Sequence, residues 1–202
     1  MISKEKINTL KELFKEAMLS KKFNQNFNLI FGNNGVIFRP KQNDLNMLCV
    51  KTPLTNELQN INPNSKSFEL TPEKQKILTN FLFNEGTLTY SISQDIKTYQ
   101  AIQKHKNLIQ HIPKFYEYET QSEYKFIIMD YIEGTHVETT SPSDYKNPHA
   151  TITLESIYSL FQEKGFYFED RVEVIFHPNK KTYTIIDLGG LYKHGEDNGS
   201  NS

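Results

Sequence analysis

The chain has 202 residues, 37% hydrophobic and 23% charged, enough for one generous domain or two small lobes. Its formal net charge of −1 removes the electrostatic footing for non-specific nucleic-acid binding, and a single cysteine, Cys49, with six scattered histidines excludes an internal disulfide and a structural zinc cluster. No apolar run approaches the roughly 20 residues that span a bilayer. Residues 1–20 are amphipathic rather than continuously apolar, so the sequence reads as a soluble protein with no membrane span and no signal peptide.

In chain order, Ile7, Leu10, Phe14 and Ala17 with Met18 recur at helical spacing among lysines and glutamates, which predicts a helix over 3–20 that packs one stripe on the body. From Phe27 the period becomes two. Phe27, Leu29 and Phe31 alternate, Gly32-Asn33-Asn34-Gly35 supplies a turn, and Val36-Ile37-Phe38 begins a second strand. A polar turn at 41–46 leads to a third strand at 47–51, completing an antiparallel meander. The stretch 52–71 is rich in Asn, Pro and Ser and reads as a loop. Thr71-Pro72-Glu73 has the cap, proline and early acid of a helix start, and that helix would run to about Phe83.

A further helix over 93–105 places Ile96, Tyr99 and Ile102 on one face. Residues 112–119 and 124–131 read as a strand pair around the polar Thr120-Gln121-Ser122-Glu123, and 141–148 as a loop with two prolines. Leu154, Ile157, Leu160 and Phe161 mark a helix ending at Gly165, a residue suited to the left-handed position beyond a helix. Residues 172–176 and 183–188 form a final hairpin, and the polar tail from Lys193 is expected to fray.

Four stretches in this order resemble the eukaryotic-like protein-kinase fold. Phe31-Gly32-Asn33-Asn34-Gly35-Val36 is similar to a reduced glycine loop. Leu48-Cys49-Val50-Lys51 stands where the family has V-A-I-K on its third strand, and the separation of Gly35 from Lys51 is close to the family's. Phe126-Ile127-Ile128-Met129-Asp130-Tyr131-Ile132-Glu133-Gly134 resembles the fifth strand and hinge, usually apolar-M-E-Y-apolar-x-G. Leu160-Phe161-Gln162-Glu163-Lys164-Gly165-Phe166, then Glu169-Asp170, then Ile185-Ile186-Asp187-Leu188-Gly189 follow the family's helix, catalytic loop and D-F-G.

The likeness covers about residues 27–192 and implies an α+β fold. In it a small antiparallel-sheet N-lobe with helices and a truncated, mainly helical C-lobe enclose a nucleotide cleft. Residues 1–22 would be an N-terminal helical extension, 23–134 the N-lobe through the hinge, 135–192 the truncated C-lobe with the catalytic-loop and D-L-G hairpin, and 193–202 a flexible tail. About thirteen residues follow Gly189 in this sequence, with no room for an activation segment or a full helical lobe. That shortness resembles the minimal kinases that bacterial pathogens inject into host cells, and kinase-fold toxins.

The resemblance implies ATP and Mg²⁺ as cofactors and assigns roles. Asp187, after two isoleucines and before Leu-Gly-Gly, would hold Mg²⁺; its plain alternative is a turn aspartate. Lys51 would neutralise the α- and β-phosphates; its alternative is a strand-end lysine reaching to water. The family's H-R-D-x-x-x-x-N reads here as Tyr167-Phe168-Glu169-Asp170-Arg171-Val172-Glu173-Val174, without the asparagine. Gapless alignment puts Glu169 on the family's Asp and describes an inactive kinase. A loop two residues shorter makes Asp170 the catalytic base and Glu173 the second metal ligand, and this alignment is preferred. Asp95, with Glu73 as its rival, would be the acid that partners the lysine. Gly32 and Gly35 would admit backbone N–H groups to phosphates. Asp130 and Ile132 would offer backbone groups to an adenine, with Met129 behind it.

The implied activity is phosphoryl transfer to a hydroxyl of a protein, in the cytoplasm or after secretion into a host cell. An inactive pseudokinase that binds nucleotide or protein is the alternative, motivated by the missing asparagine. A small-molecule phosphotransferase of the aminoglycoside kind and an adenylylating enzyme on the same fold stand behind these.

Overall fold

Ser3 starts the first helix: its Oγ accepts a hydrogen bond from the Lys6 N–H at 3.3 Å, and α1 runs over Lys4–Ser20. The expected stripe is the buried one, formed by Leu10, Phe14, Ala17 and Met18. The structure is a computed structural model describing residues 2–31, 35–53, 92–122, 124–139, 145–168 and 172–193. The expected loop after residue 53, the helix from Thr71 to about Phe83, Glu73 and the tail beyond Lys193 lie outside the described residues. So do Gly32, Glu169 and Asp170. The chain forms two units, Met1–Ile92 with Tyr116–Met129, and Ser93–Phe115 with Asp130–Ser202.

In the first unit α1 and the short α2, Phe23–Asn26, lead into β1 (Phe27–Phe31), β2 (Gly35–Pro40) and β3 (Leu48–Pro53). These strands form the antiparallel meander that the alternation predicts, with Phe27 opposite Pro40 and Ile37 opposite Lys51. The third strand begins at Leu48 rather than Met47, whose side chain is exposed, and continues through Pro53. Two more strands, β4 (Phe115–Glu119) and β5 (Phe126–Asp130), complete a five-stranded sheet in the order β1-β2-β3-β5-β4.

Helix α1 covers one face of this sheet. Phe14 packs edge-on against Phe38 with centroids 5.2 Å apart and against Phe126 at 5.5 Å; Phe23 and Phe27 also meet Phe38 edge-on. Each such pair adds about 0.5–1.5 kcal/mol beyond the area it buries. Leu48, Val50 and Ile128 belong to the same core. At its rim Lys11 Nζ meets Glu117 Oε1 at 2.6 Å and ties the helix to β4.

Between β3 and β4 the chain forms α3 (Ile92–Ile102) and α4 (Lys106–Ile109), so the expected single helix to 105 breaks after Ile102. In the second unit β6 (Thr135–Thr139), β8 (Val172–His177) and β9 (Thr182–Ile185) form one antiparallel sheet, while β7 (Phe166–Phe168) pairs with β10 (Leu191–Lys193). Helix α5, Leu154–Gln162, is capped by Thr153, whose Oγ1 accepts from the Ser156 N–H at 3.1 Å. Gly165 takes the left-handed φ of 79°, two residues past the Glu163 cap.

The expectation of a mainly helical C-lobe is corrected here. Among the described residues from 130 onward there are five strands and one helix of nine residues. Among the described residues no helix is long and apolar enough to cross a membrane.

Because Phe14 is fully buried against two aromatic partners, Phe38 and Phe126, Phe14→Ala is expected to lower unfolding free energy by about 3–5 kcal/mol in urea denaturation. Leu19→Ala, on the same helix but 70% exposed, should stay within about 0.5 kcal/mol of wild type.

Candidate functional site

Alternation along β3 divides its side chains. Leu48 and Val50 join the α1 core, so Cys49 and Lys51 lie on the opposite face. Ile30 pairs with Ile37, and Ile37 with Lys51, giving a transverse row Ile30–Ile37–Lys51 on the face away from α1. On β5, Phe126 and Ile128 join the α1 core, which leaves Ile127 and Met129 on the Lys51 face, both buried. Lys51 is half-buried there, its stem beside Ile37. Gly35 opens β2 opposite Pro53.

In the second unit the chain leaves β9 at a well-held turn. The Ile185 N–H donates to the His111 carbonyl at 2.8 Å and the Ile186 N–H to the Glu173 carbonyl at 3.0 Å. Asp187 Oδ1 then accepts from the Gly189 N–H at 3.1 Å, a local Asp turn that orients the half-buried carboxylate. Leu188 is buried, and β10 follows at once. Thr98 Oγ1 on α3 donates to the Leu191 carbonyl at 3.0 Å, binding that helix to the strand after the turn. Asp95 lies one turn earlier on α3, 1% exposed and in the first helical turn, where the helix dipole favours a carboxylate.

Glu173 is on β8, so the strand that the sequence begins at Val172 already contains it. Its carboxylate stands 3.7 Å from His136 Nε2, and its Cα partner across the β6–β8 ladder is Glu138. Glu173 and Asp187 therefore sit on neighbouring stretches joined by the Ile186–Glu173 backbone bond. Among the described residues no group of three His, Cys, Asp or Glu forms a metal-holding cluster. A carboxylate is the kind of group that holds Mg²⁺, which is usually bound by one or two carboxylates together with substrate phosphates.

The residues after β5 form a second locus. The Asp130 N–H donates to the Lys114 carbonyl at 3.0 Å, and Asp130 Oδ2 accepts from the Lys114 N–H at 3.3 Å. Ile132 follows in a short connector without regular structure, which ends at Gly134. Gly134 has φ 155°, and a Cβ there would come within 2.2 Å of the Phe176 carbonyl oxygen. Thr135 pairs with Phe176 immediately afterwards.

Lys51, Met129 and Gly35 thus belong to the first unit, and Asp95, Asp130, Ile132, Glu173 and Asp187 to the second. Sequence reasoning missed Gly134's packing role, His136 and His177. The signal for the first two was the Gly134-Thr135-His136-Val137-Glu138-Thr139 run, a glycine followed by a two-residue alternation. No protein-family model and no curated protein sequence matches the chain.

Two histidines of the second unit are held toward the neutral form. Burial lowers the pKa of His111, which is 4% exposed, against an opposing hydrogen bond with the Tyr183 backbone. Burial and then the Lys180 charge lower that of His177, against a hydrogen bond with the Glu133 backbone. Since both folded-state values lie below the unfolded one, the unfolded chain takes up protons first as pH falls below about 6.5. Stability is fully present above that pH and declines beneath it, by at most about 1.4 kcal/mol per pH unit for each histidine. Thermal melting at pH 7.5, 6.5 and 5.5 should show a falling midpoint, and His111→Gln should flatten the slope if the variant folds. Gly134→Ala is expected to lose about 3 kcal/mol or more, against about 1–2 kcal/mol for Gly165→Ala, where nothing lies within 4 Å of the added carbon.

Proposed function

We propose that this chain is an ATP- and Mg²⁺-dependent phosphotransferase of protein-kinase-like fold that phosphorylates a hydroxyl of a protein, in the manner of truncated effector kinases. The observation that carries the reading is the Asp187 turn: a carboxylate leaving a paired strand beside Glu173, aimed by the Gly189 N–H, with Leu188 buried behind it. Two features of the fold support it. A lysine stands on the third strand of a five-stranded sheet, on the face away from α1, and a helix carrying a buried acid lies between the third and fourth strands.

In this reading Lys51 binds phosphate oxygens, Gly32 and Gly35 admit backbone N–H groups to them, and Asp130 and Ile132 offer backbone groups to the base with Met129 behind. Asp187 and Glu173 would hold Mg²⁺, which when bound neutralises phosphate charge. Asp170 accepts the proton of the attacking hydroxyl as its oxygen bonds to the γ-phosphorus and the bond to the leaving ADP oxygen breaks. The partner is a protein substrate, met in the cytoplasm or after delivery into a host cell.

Incubation with γ-labelled ATP and Mg²⁺ should label the chain or an added protein. Asp187→Asn should cut the rate at least about a hundredfold while keeping the melting temperature, because an asparagine oxygen can still accept the Gly189 bond. Lys51→Met, which keeps an apolar stem beside Ile37, should lose a similar factor. Nucleotide binding without transfer would replace this reading by the pseudokinase, label arriving only from the α-phosphate would point to adenylylation, and absence of nucleotide binding would overturn both kinase readings.

A further inference from the structure

The connector that follows β5 is held to β8 by more than the β6–β8 ladder. Gly134 lies so close to the Phe176 carbonyl that only a residue without a Cβ fits. One residue along β8, His177 reaches two elements at once. Its Nε2 is 2.7 Å from Thr184 Oγ1 on β9, and its ring also hydrogen-bonds the Glu133 backbone in the connector. A carbonyl only accepts, so the imidazole donates to Glu133, while the Thr184 hydroxyl can rotate to either sense of the second bond. Thr184 is itself buried, 7% exposed, so its partner cannot readily be exchanged for water.

The His177 imidazole is half-buried at the end of β8. Its two ring nitrogens let one side chain meet both partners at once. Together, the glycine fixes how near the connector comes to β8, and the histidine fixes where along β8 it sits.

We propose that His177 is a positioning residue: by bridging the Glu133 backbone to Thr184 it pins residues 131–134, and hence the backbone of Ile132, onto the β8–β9 hairpin. The pinning stands on the geometry of the second unit alone. Its consequence, that the pinned backbone sets affinity for the nucleotide base, rests on the kinase-like reading.

The test compares His177→Phe, which fills the space without hydrogen bonds, with His177→Asn and His177→Gln, which each restore part of the bonding. Thr184→Val is a second route to the same loss should the phenylalanine variant fail to fold. Hydrogen–deuterium exchange on peptides covering 131–139 should rise at least about tenfold in His177→Phe or Thr184→Val, while peptides of α1 and β1–β2 keep wild-type rates. One of the amide variants should recover part of the protection. Wild-type exchange over 131–139 in both deficient variants, or an equal rise throughout the chain, overturns the pinning. If wild type turns over ATP, the deficient variants should raise KM for ATP about tenfold with kcat within about twofold. A fall in kcat with unchanged KM overturns the link to nucleotide. Should wild type bind no nucleotide, the kinase-like reading fails while exchange still decides the pinning.

Discussion

Phe38 is the point on which the first unit turns. Three rings, Phe14, Phe23 and Phe27, meet it edge-on from α1, α2 and β1, and all four are buried. A sheet must bury at least one face, and here an amphipathic helix from the same chain does so. That assigns every other residue of β3 and β5 to the opposite face, where Lys51 and Met129 lie. A lysine at position 48 or 50 would have joined the aromatic core, where an unpaired ammonium is prohibitively costly. The side on which α1 packs therefore decides where the chain can present a cation.

The second unit uses a different device. Its candidate residues are placed by hydrogen bonds that each engage the backbone near strand ends: the Ile186 N–H to the Glu173 carbonyl, the Gly189 N–H to Asp187 Oδ1, and Thr98 Oγ1 of α3 to the Leu191 carbonyl. Such bonds fix the chain on which a carboxylate is carried, and so where a ligand would meet it. The contrast with the first unit is one of means: packing chooses a face there, and turn chemistry chooses a direction here.

Much of the first unit was legible because its signals are long. Seventeen residues of α1 repeat at helical spacing, and the sequences of β1 and β2 alternate on either side of a glycine- and asparagine-rich stretch. The Asp187 turn was legible from Ile-Ile-Asp-Leu-Gly, where a buried strand meets small residues. Strands β7 and β10 were not, because three residues each carry no period to read, and their pairing joins Phe166 to Lys193 across the whole of the β8–β9 hairpin. The second unit was expected to be helical because the family resemblance supplied that lobe's character; its own Thr135–Thr139 and Val172–His177 runs favour strands through Val, Ile, Thr and Phe. The break between Ile102 and Lys106 was hidden by the continuing polarity of Gln103-Lys104-His105.

Gly134 has one more implication, for the chain length allowed between β5 and β6. On β6, Val137 faces the interior while His136 and Glu138 face outward. Adding or deleting a single residue between Gly134 and Val137 would offset the pairing by one, exchanging the two sides: the valine would turn to water and an imidazole and a carboxylate would be pressed inward. Lineages that vary the stretch just beyond Gly134 should therefore change it two residues at a time, or replace β6 altogether.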